Sequence, residues 1–195
     1  MWEQINRVIK KNKAIVLFSV QPFTSALVMS NPKMFKYDWV WDKVSPTGHL
    51  NAKKRPMKKL ENISVFSNGT PVYYPQGLVY NPRVKSRSEK TQGSECYGKH
   101  GSSNISEYSG YPTERLVFQN ENGLHPTQKP VPLMEYLIKT YTIEGETVLD
   151  FTMGSGTTGV ACKKINRNFI GIESDEKYFE LAKNRINNLE LEIIK

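Results

Sequence analysis

Apolar positions along the chain switch between helical spacing and short continuous runs. Trp2, Ile5, Val8 and Ile9 stand at helical spacing, so residues 2–11 read as an amphipathic helix. Residues 14–20 form a nearly continuous apolar run, which suits a strand buried on both faces. Pro22 then opens a second helix that runs to about Ser30, because proline is tolerated in a first turn. Residues 34–41 are rich in aromatics and predict another strand, and residues 63–66 a third, short one. At most one of Trp39 and Trp41 is expected to face a groove; the other, or both, are core.

The pattern breaks over residues 68–123, which are rich in Gly, Ser, Asn, Pro, Tyr and Lys without a sustained period. Tyr73, Tyr74, Tyr80, Tyr97, Tyr108 and Tyr111 are too many aromatics for a flexible linker, so an ordered module with long loops is expected. Order returns beyond it. Pro130 and Pro132 flank a helix start, and Val131, Met134, Ile138 and Tyr141 mark its apolar stripe. Glu144, Gly145 and Glu146 read as a turn, followed by a strand at 147–150, a helix at 156–164 and a strand at 168–173. A last helix from Asp175 to about Asn188 places Phe179, Ala182, Ile186 and Leu189 on one face. This β–turn–α–β–α order is a parallel crossover unit. The predicted class is α/β: a sheet with helices on both faces and an irregular insertion. The boundaries are 1–67, 68–123 and 124–195, with cofactor binding expected in the last.

Composition adds one localised feature. The net charge is +8, and residues 43–99 carry 11 basic against 3 acidic residues, so the whole excess lies there. A basic segment of this kind fits a polyanion, most often nucleic acid. No apolar run approaches a membrane span, and the start lacks the basic-then-apolar order of a secretory signal. Cys96 and Cys162 are 66 residues apart and show no metal-ligand spacing. Neither a metal site nor a disulfide is expected, and a cytoplasmic setting is the default.

The sharpest local signal is a glycine turn. Gly154, Ser155, Gly156 and Gly159 follow a strand and open a helix, with acidic Glu173 about 20 residues on, near the end of the next strand. A phosphate-cradling loop needs Lys after its last glycine, but Val160 stands there. A dinucleotide would bring pyrophosphate close to Asp150, which repels it. S-adenosylmethionine carries a sulfonium and an ammonium and no phosphate, so charge favours it over NAD. Glu173 is the candidate acceptor for its two ribose hydroxyls. A second signal is His-Pro-Thr-Gln-Lys-Pro at 125–130, where Thr127, Gln128 and Lys129 offer groups that grip a carboxylate near a helix start.

Together these residues resemble the amino DNA methyltransferases, which methylate adenine N6 or cytosine N4. The resemblance rests on residues 125–130, Asp150, Gly154-Ser155-Gly156, Thr157-Thr158 and Phe-Ile-Gly-Ile-Glu at 169–173. Trp41-Asp42-Lys43 and Glu61-Asn62-Ile63 are similar to the family's middle strands. Only the stretch from about 70 to 120 lies outside it, where the family keeps a variable target-recognition region. The resemblance implies that Asp150, Thr152, Gly154, Ser155 and Gly156 line the cofactor. It also implies that Glu173 binds the ribose and that Thr127, Gln128 and Lys129 hold the methionine end. Duplex DNA is the implied partner, with Lys53, Lys54, Arg55, Lys58, Lys59, Arg83, Lys85 and Arg87 as candidate contacts. Adenine N6 is preferred to cytosine N4 on family frequency.

One departure is large. The family's catalytic motif contains Pro-Pro and an aromatic, and no Pro-Pro pair occurs here. Asn31-Pro32-Lys33 and Asn81-Pro82-Arg83 lack the second proline and the aromatic. No catalytic residue is therefore assigned. Met1 is expected to be an internal start, with the motif and one central strand upstream, so that a complementing N-terminal segment or second subunit is needed. The alternatives are a DNA- or cofactor-binding remnant without activity and, more distantly, an NAD-binding oxidoreductase.

Overall fold

The structure is a computed structural model that describes residues 1–81, 107–121, 123–124 and 127–193. It divides into two units, one of residues Met1–Tyr74 with Thr113–Lys195 and one of Pro75–Pro112.

In the larger unit the N-terminal stretch forms α1 (Trp2–Val8), β1 (Ile15–Ser19) and α2 (Phe23–Ser30). A long β2 (Phe35–Thr47) and β3 (Lys58–Phe66) make a hairpin that extends well past the apolar residues that predicted each strand. β6 (Arg115–Val117) comes from the stretch read as irregular and adds to the same sheet. Then follow α3 (Val131–Tyr141), β7 (Thr147–Asp150), α4 (Thr157–Lys164), β8 (Asn168–Gly171) and α5 (Glu176–Ile193). The smaller unit holds β4 (Val79–Tyr80) and β5 (Tyr108–Ser109), an antiparallel pair on which Tyr80 and Tyr108 pack with ring centroids 5.5 Å apart.

Four strands run in the order β1-β3-β2-β6, with β3 antiparallel to both neighbours and β6 parallel to β2. Alternation along β1 assigns the two faces. Val16 and Phe18 pack with Trp39, Trp41, Ile63, Val65 and the α3 residues Leu133, Leu137 and Tyr141. Ile15 and Leu17 pack on the opposite side with Ile5 of α1, Leu27 of α2 and Phe66. Helices thus cover both faces of this sheet, as period-two burial requires. Both Trp39 and Trp41 are core, because residues two apart on a strand share a face. Their indole N–H groups donate to the Tyr141 hydroxyl at 2.6 Å and to the Phe118 carbonyl at 2.9 Å, which satisfies them in place.

β7 and β8 form a separate parallel pair in register Thr147 with Asn168 through Asp150 with Gly171. Val148 and Phe169 face α3 and α4. On the other face Leu149, Ile170 and Ile172 are 41%, 54% and 53% exposed. An ion pair between Lys13 and Glu146 joins the residues leading into β1 and β7, so both strands start at one end of the unit. Among the described residues, no strand pairs with the outer edge of β1 or of β7, and the two do not pair with each other.

Candidate functional site

The carboxyl ends of the parallel strands gather the candidate chemistry, where ligands of open α/β sheets bind. At the end of β7 the chain turns through Met153, Gly154, Ser155 and Gly156 into α4. Gly156 has φ 77°, which L side chains rarely adopt, and a Cβ there would stand 2.8 Å from the Ala182 Cβ. Gly159 is needed for a different reason: a Cβ would meet the Phe169 ring at 2.7 Å, so glycine lets α4 lie against β8. Local sequence therefore dictates both the sharp turn and its close approach to α5.

Two carboxylates brace this turn. Asp150 accepts from the Thr152 N–H at 3.1 Å and from the Thr158 hydroxyl at 2.5 Å. Glu173 accepts from the Gly154 N–H at 2.9 Å with one oxygen and from the Ser174 and Asp175 N–H groups at 2.9 and 3.0 Å with the other. Both acids accept from these neutral donors and are half-buried at neighbouring strand ends.

A second acidic pair sits at the same end of the four-stranded sheet. Trp41 is in register with Glu61 and Asp42 with Leu60. Burial pushes the Glu61 carboxyl up, but Lys129 at 2.8 Å and Lys43 at 2.7 Å outweigh it and hold the group below its ordinary value. The Arg115 guanidinium, with the Val44 N–H and Lys59, lowers Asp42. Lys129 also lies over the Phe18 and Trp41 rings, 5.1 and 5.8 Å from their centroids.

The placement of the expected residues is mixed. Asp150, Thr152, Gly154, Ser155, Gly156 and Glu173 come together. Thr127 is exposed, and Gln128 and Lys129 are half-buried at the entry to α3, with Lys129 turned to Glu61. Lys53, Lys54, Arg55, Lys58 and Lys59 are all exposed around the β2–β3 hairpin. Arg83, Lys85, Arg87, His125 and Pro126 lie outside the described residues. Cys162 is buried on α4, where desolvation pushes its thiol up to about 12, so it behaves as a small apolar side chain. Sequence reasoning missed Thr158 as the partner of Asp150, and Glu121 and Arg185 nearby. Arg185 left a signal: a charged residue on the stripe set by Ala182, Ile186 and Leu189.

Comparison with known proteins decides the family. A family profile described as DNA methylase matches residues 1–184. The chain belongs to the DNA methylase family. The methylase chain is 49% identical over 65 residues to the type II methyltransferase M2.LlaDCHI of Lactococcus lactis subsp. cremoris, covering 33% of this chain and 24% of that protein. It is 41% identical over 87 residues to M.HpaI of Haemophilus parainfluenzae, covering 44% of this chain and 26% of that protein. The match thus spans about a quarter of the length of these curated relatives. Among solved structures, the M1.HpyAVI–SAM complex is similar with TM-score 0.65 and 29% identity, covering 94% of this chain and 79% of that one. The cytosine-N4-specific PvuII methyltransferase shares the fold at TM-score 0.57 and 18% identity, covering 92% of this chain and 72% of that one. The architecture is therefore the methyltransferase α/β sheet.

Proposed function

We propose that this methylase chain binds S-adenosylmethionine at the ends of β7 and β8 and serves site-specific methylation of a base amino group in duplex DNA. The observation that carries the reading is the pair of acids bracing the glycine turn, together with family membership. Two carboxylates and no lysine at the turn suit a cationic, phosphate-free ligand with a diol. When bound, this cofactor supplies an electrophilic methyl group on a sulfonium. Asp150 faces positive charge, and Glu173 takes the ribose hydroxyls while keeping its backbone donors. Thr152, Gly154, Ser155 and Gly156 line the turn. Thr127, Gln128 and Lys129 hold the methionine carboxylate; an ammonium has three N–H donors, so Lys129 serves Glu61 and a ligand together. Adenine N6 is preferred to cytosine N4 because adenine methylation is the commoner activity in the family. The setting is the cytoplasm, in a restriction–modification system.

The exposed cations of the β2–β3 hairpin support the DNA reading, as do Arg83, Lys85 and Arg87 in sequence. Each phosphate contact adds about 1 to the salt slope of binding, so Lys53→Ala, Lys54→Ala and Arg55→Ala together lower that slope by about 3.

Transfer itself is proposed to need a complementing segment. Three observations support this: the absence of a Pro-Pro motif in the sequence, the edges of β1 and β7 with which no strand among the described residues pairs, and the exposed apolar side chains of Leu149, Ile170 and Ile172. Such a segment would add one strand between the edges and apolar cover over that face. Calorimetric titration with S-adenosylhomocysteine and with NAD tests the cofactor; binding of NAD alone would overturn it. A labelled-methyl assay on duplex DNA, with and without the polypeptide encoded upstream of Met1, tests the rest. Activity restored only by that polypeptide supports complementation. DNA binding without transfer in either case favours the remnant without activity.

A further inference from the structure

We propose that Glu121 and Arg185 form a positioning pair that locks the 127–130 segment to the glycine turn, so that both parts of the methionine-end site are set together. The proposal rests on the S-adenosylmethionine reading. Arg185 projects from α5, with only 20% of its side chain exposed. Its Nη1 donates to the Ser155 carbonyl at 3.2 Å and to the Thr157 hydroxyl at 3.0 Å. That fixes the peptide plane between Ser155 and Gly156 from behind. Its Nη2 lies 3.9 Å from a Glu121 oxygen. Glu121 in turn accepts from the Val131 N–H at the start of α3 at 3.0 Å and from the Gln128 amide at 3.5 Å. The Gln128 side-chain Oε1 accepts from the Leu124 N–H at 3.3 Å.

The chain from Gln128 through Glu121 and Arg185 to Ser155 joins segments far apart in sequence. Each link is polar although part of the cleft is apolar: Val131, Val160 and Leu189 line it beside Arg185, together with Lys164 and Asn188. Burial alone pushes the Arg185 guanidinium down, and Glu121 opposes this. A half-buried pair of this kind adds little to stability compared with apolar residues of the same volume. Its value lies in orientation, which a planar guanidinium fork supplies and an ammonium does not.

The test uses the full chain and two probes. S-adenosylhomocysteine carries the amino-acid tail; methylthioadenosine has the same nucleoside without it. Affinities are measured by titration calorimetry for Glu121→Gln, Arg185→Met, Arg185→Lys and the Glu121→Gln/Arg185→Met double variant. Glu121→Gln and Arg185→Met are expected to weaken S-adenosylhomocysteine by about tenfold and methylthioadenosine by less than about threefold. The double variant should be no weaker than the worse single one, because the two act as a unit. Arg185→Lys should recover only part of the loss. Equal weakening of both probes, full additivity, or no change overturns the pair as a positioning device. If Arg185→Met fails to fold, Glu121→Gln and Arg185→Lys carry the same comparison of probes. A wild-type chain that binds neither probe overturns the cofactor reading, and the pair falls with it; binding of both with no difference among variants overturns the pair alone.

Discussion

Asp150 and Glu173, at the carboxyl-end side of β7 and β8, and Asp42 and Glu61, within β2 and β3, belong to the same unit but differ in the donors the structure gives them. Asp150 and Glu173 are held by backbone N–H groups and a threonine hydroxyl. Asp42 and Glu61 are held by Arg115, Lys59, Lys43 and Lys129. Neutral donors leave a carboxylate its full charge, so it still attracts a cation or accepts from a hydroxyl. Lysine and arginine cancel that charge and leave a cross-link. On the proposed reading the first pair meets a ligand, whereas the second holds strands and the start of α3 together.

The comparison is sharpest at Glu61. Its side chain is 9% exposed and joins β2 through Lys43 to the entry of α3 through Lys129. Glu61→Gln removes the shared anion of Lys43 and Lys129, which costs about 3 kcal/mol of stability. Urea unfolding at neutral pH measures it, and S-adenosylhomocysteine affinity should not fall. The folded Glu61 group titrates below its unfolded value, so its contribution is complete above the unfolded value, about pH 4.3, and is lost as pH falls through the lowered folded value. The wild-type chain should lose stability in that acid window more steeply than Glu61→Gln. A variant that instead loses cofactor affinity with no change in stability would place Glu61 with the ligand-binding acids.

Glu173→Gln should do the reverse. Glutamine keeps one carbonyl acceptor, so only one side of the arrangement at Gly154, Ser174 and Asp175 survives. The expected result is about 30-fold weaker S-adenosylhomocysteine binding, near 2 kcal/mol for a lost charged hydrogen bond, with a smaller change in melting temperature. Loss of stability as large as that of Glu61→Gln, with affinity intact, would erase the distinction between the pairs.

This contrast also separates what the sequence made legible from what it did not. The glycine turn, α3, β7 and β8 were readable because each rests on contacts within a few residues: a turn that only glycine fits, a proline-flanked start, an apolar stripe. Glu173 was readable because one crossover carries it to the next strand end. The partners of Glu61 were not, because Lys129 reaches it from a distant segment and no local spacing encodes that meeting. The 125–130 motif points Lys129 to the ligand, and the structure adds the buried Glu61 as a partner of the same ammonium. β2 and β3 extend beyond their predicted ends because the hairpin is exposed there, so polar residues such as Thr47 and Lys58 carry strand pairing without an apolar signature. β6 is three residues long, too short for any period. Arg185 was visible only as a charge on an apolar stripe, and its partners needed the folded chain.

The smallest expected effect probes the neutral side alone. Thr158 donates to one oxygen of Asp150 while the Thr152 N–H occupies the other. Thr158→Val keeps the branched shape in a buried position but removes the hydroxyl. Asp150 then keeps the Thr152 N–H as a partner and turns more freely. The loss should be about 1 kcal/mol, the value of one such hydrogen bond, divided between stability and cofactor affinity. If Asp150 orients toward the positive end of the ligand, affinity for S-adenosylmethionine should fall more than affinity for S-adenosylhomocysteine, which lacks the sulfonium. Equal losses would mean that Thr158 steadies the turn and that Asp150 does not read the ligand's charge.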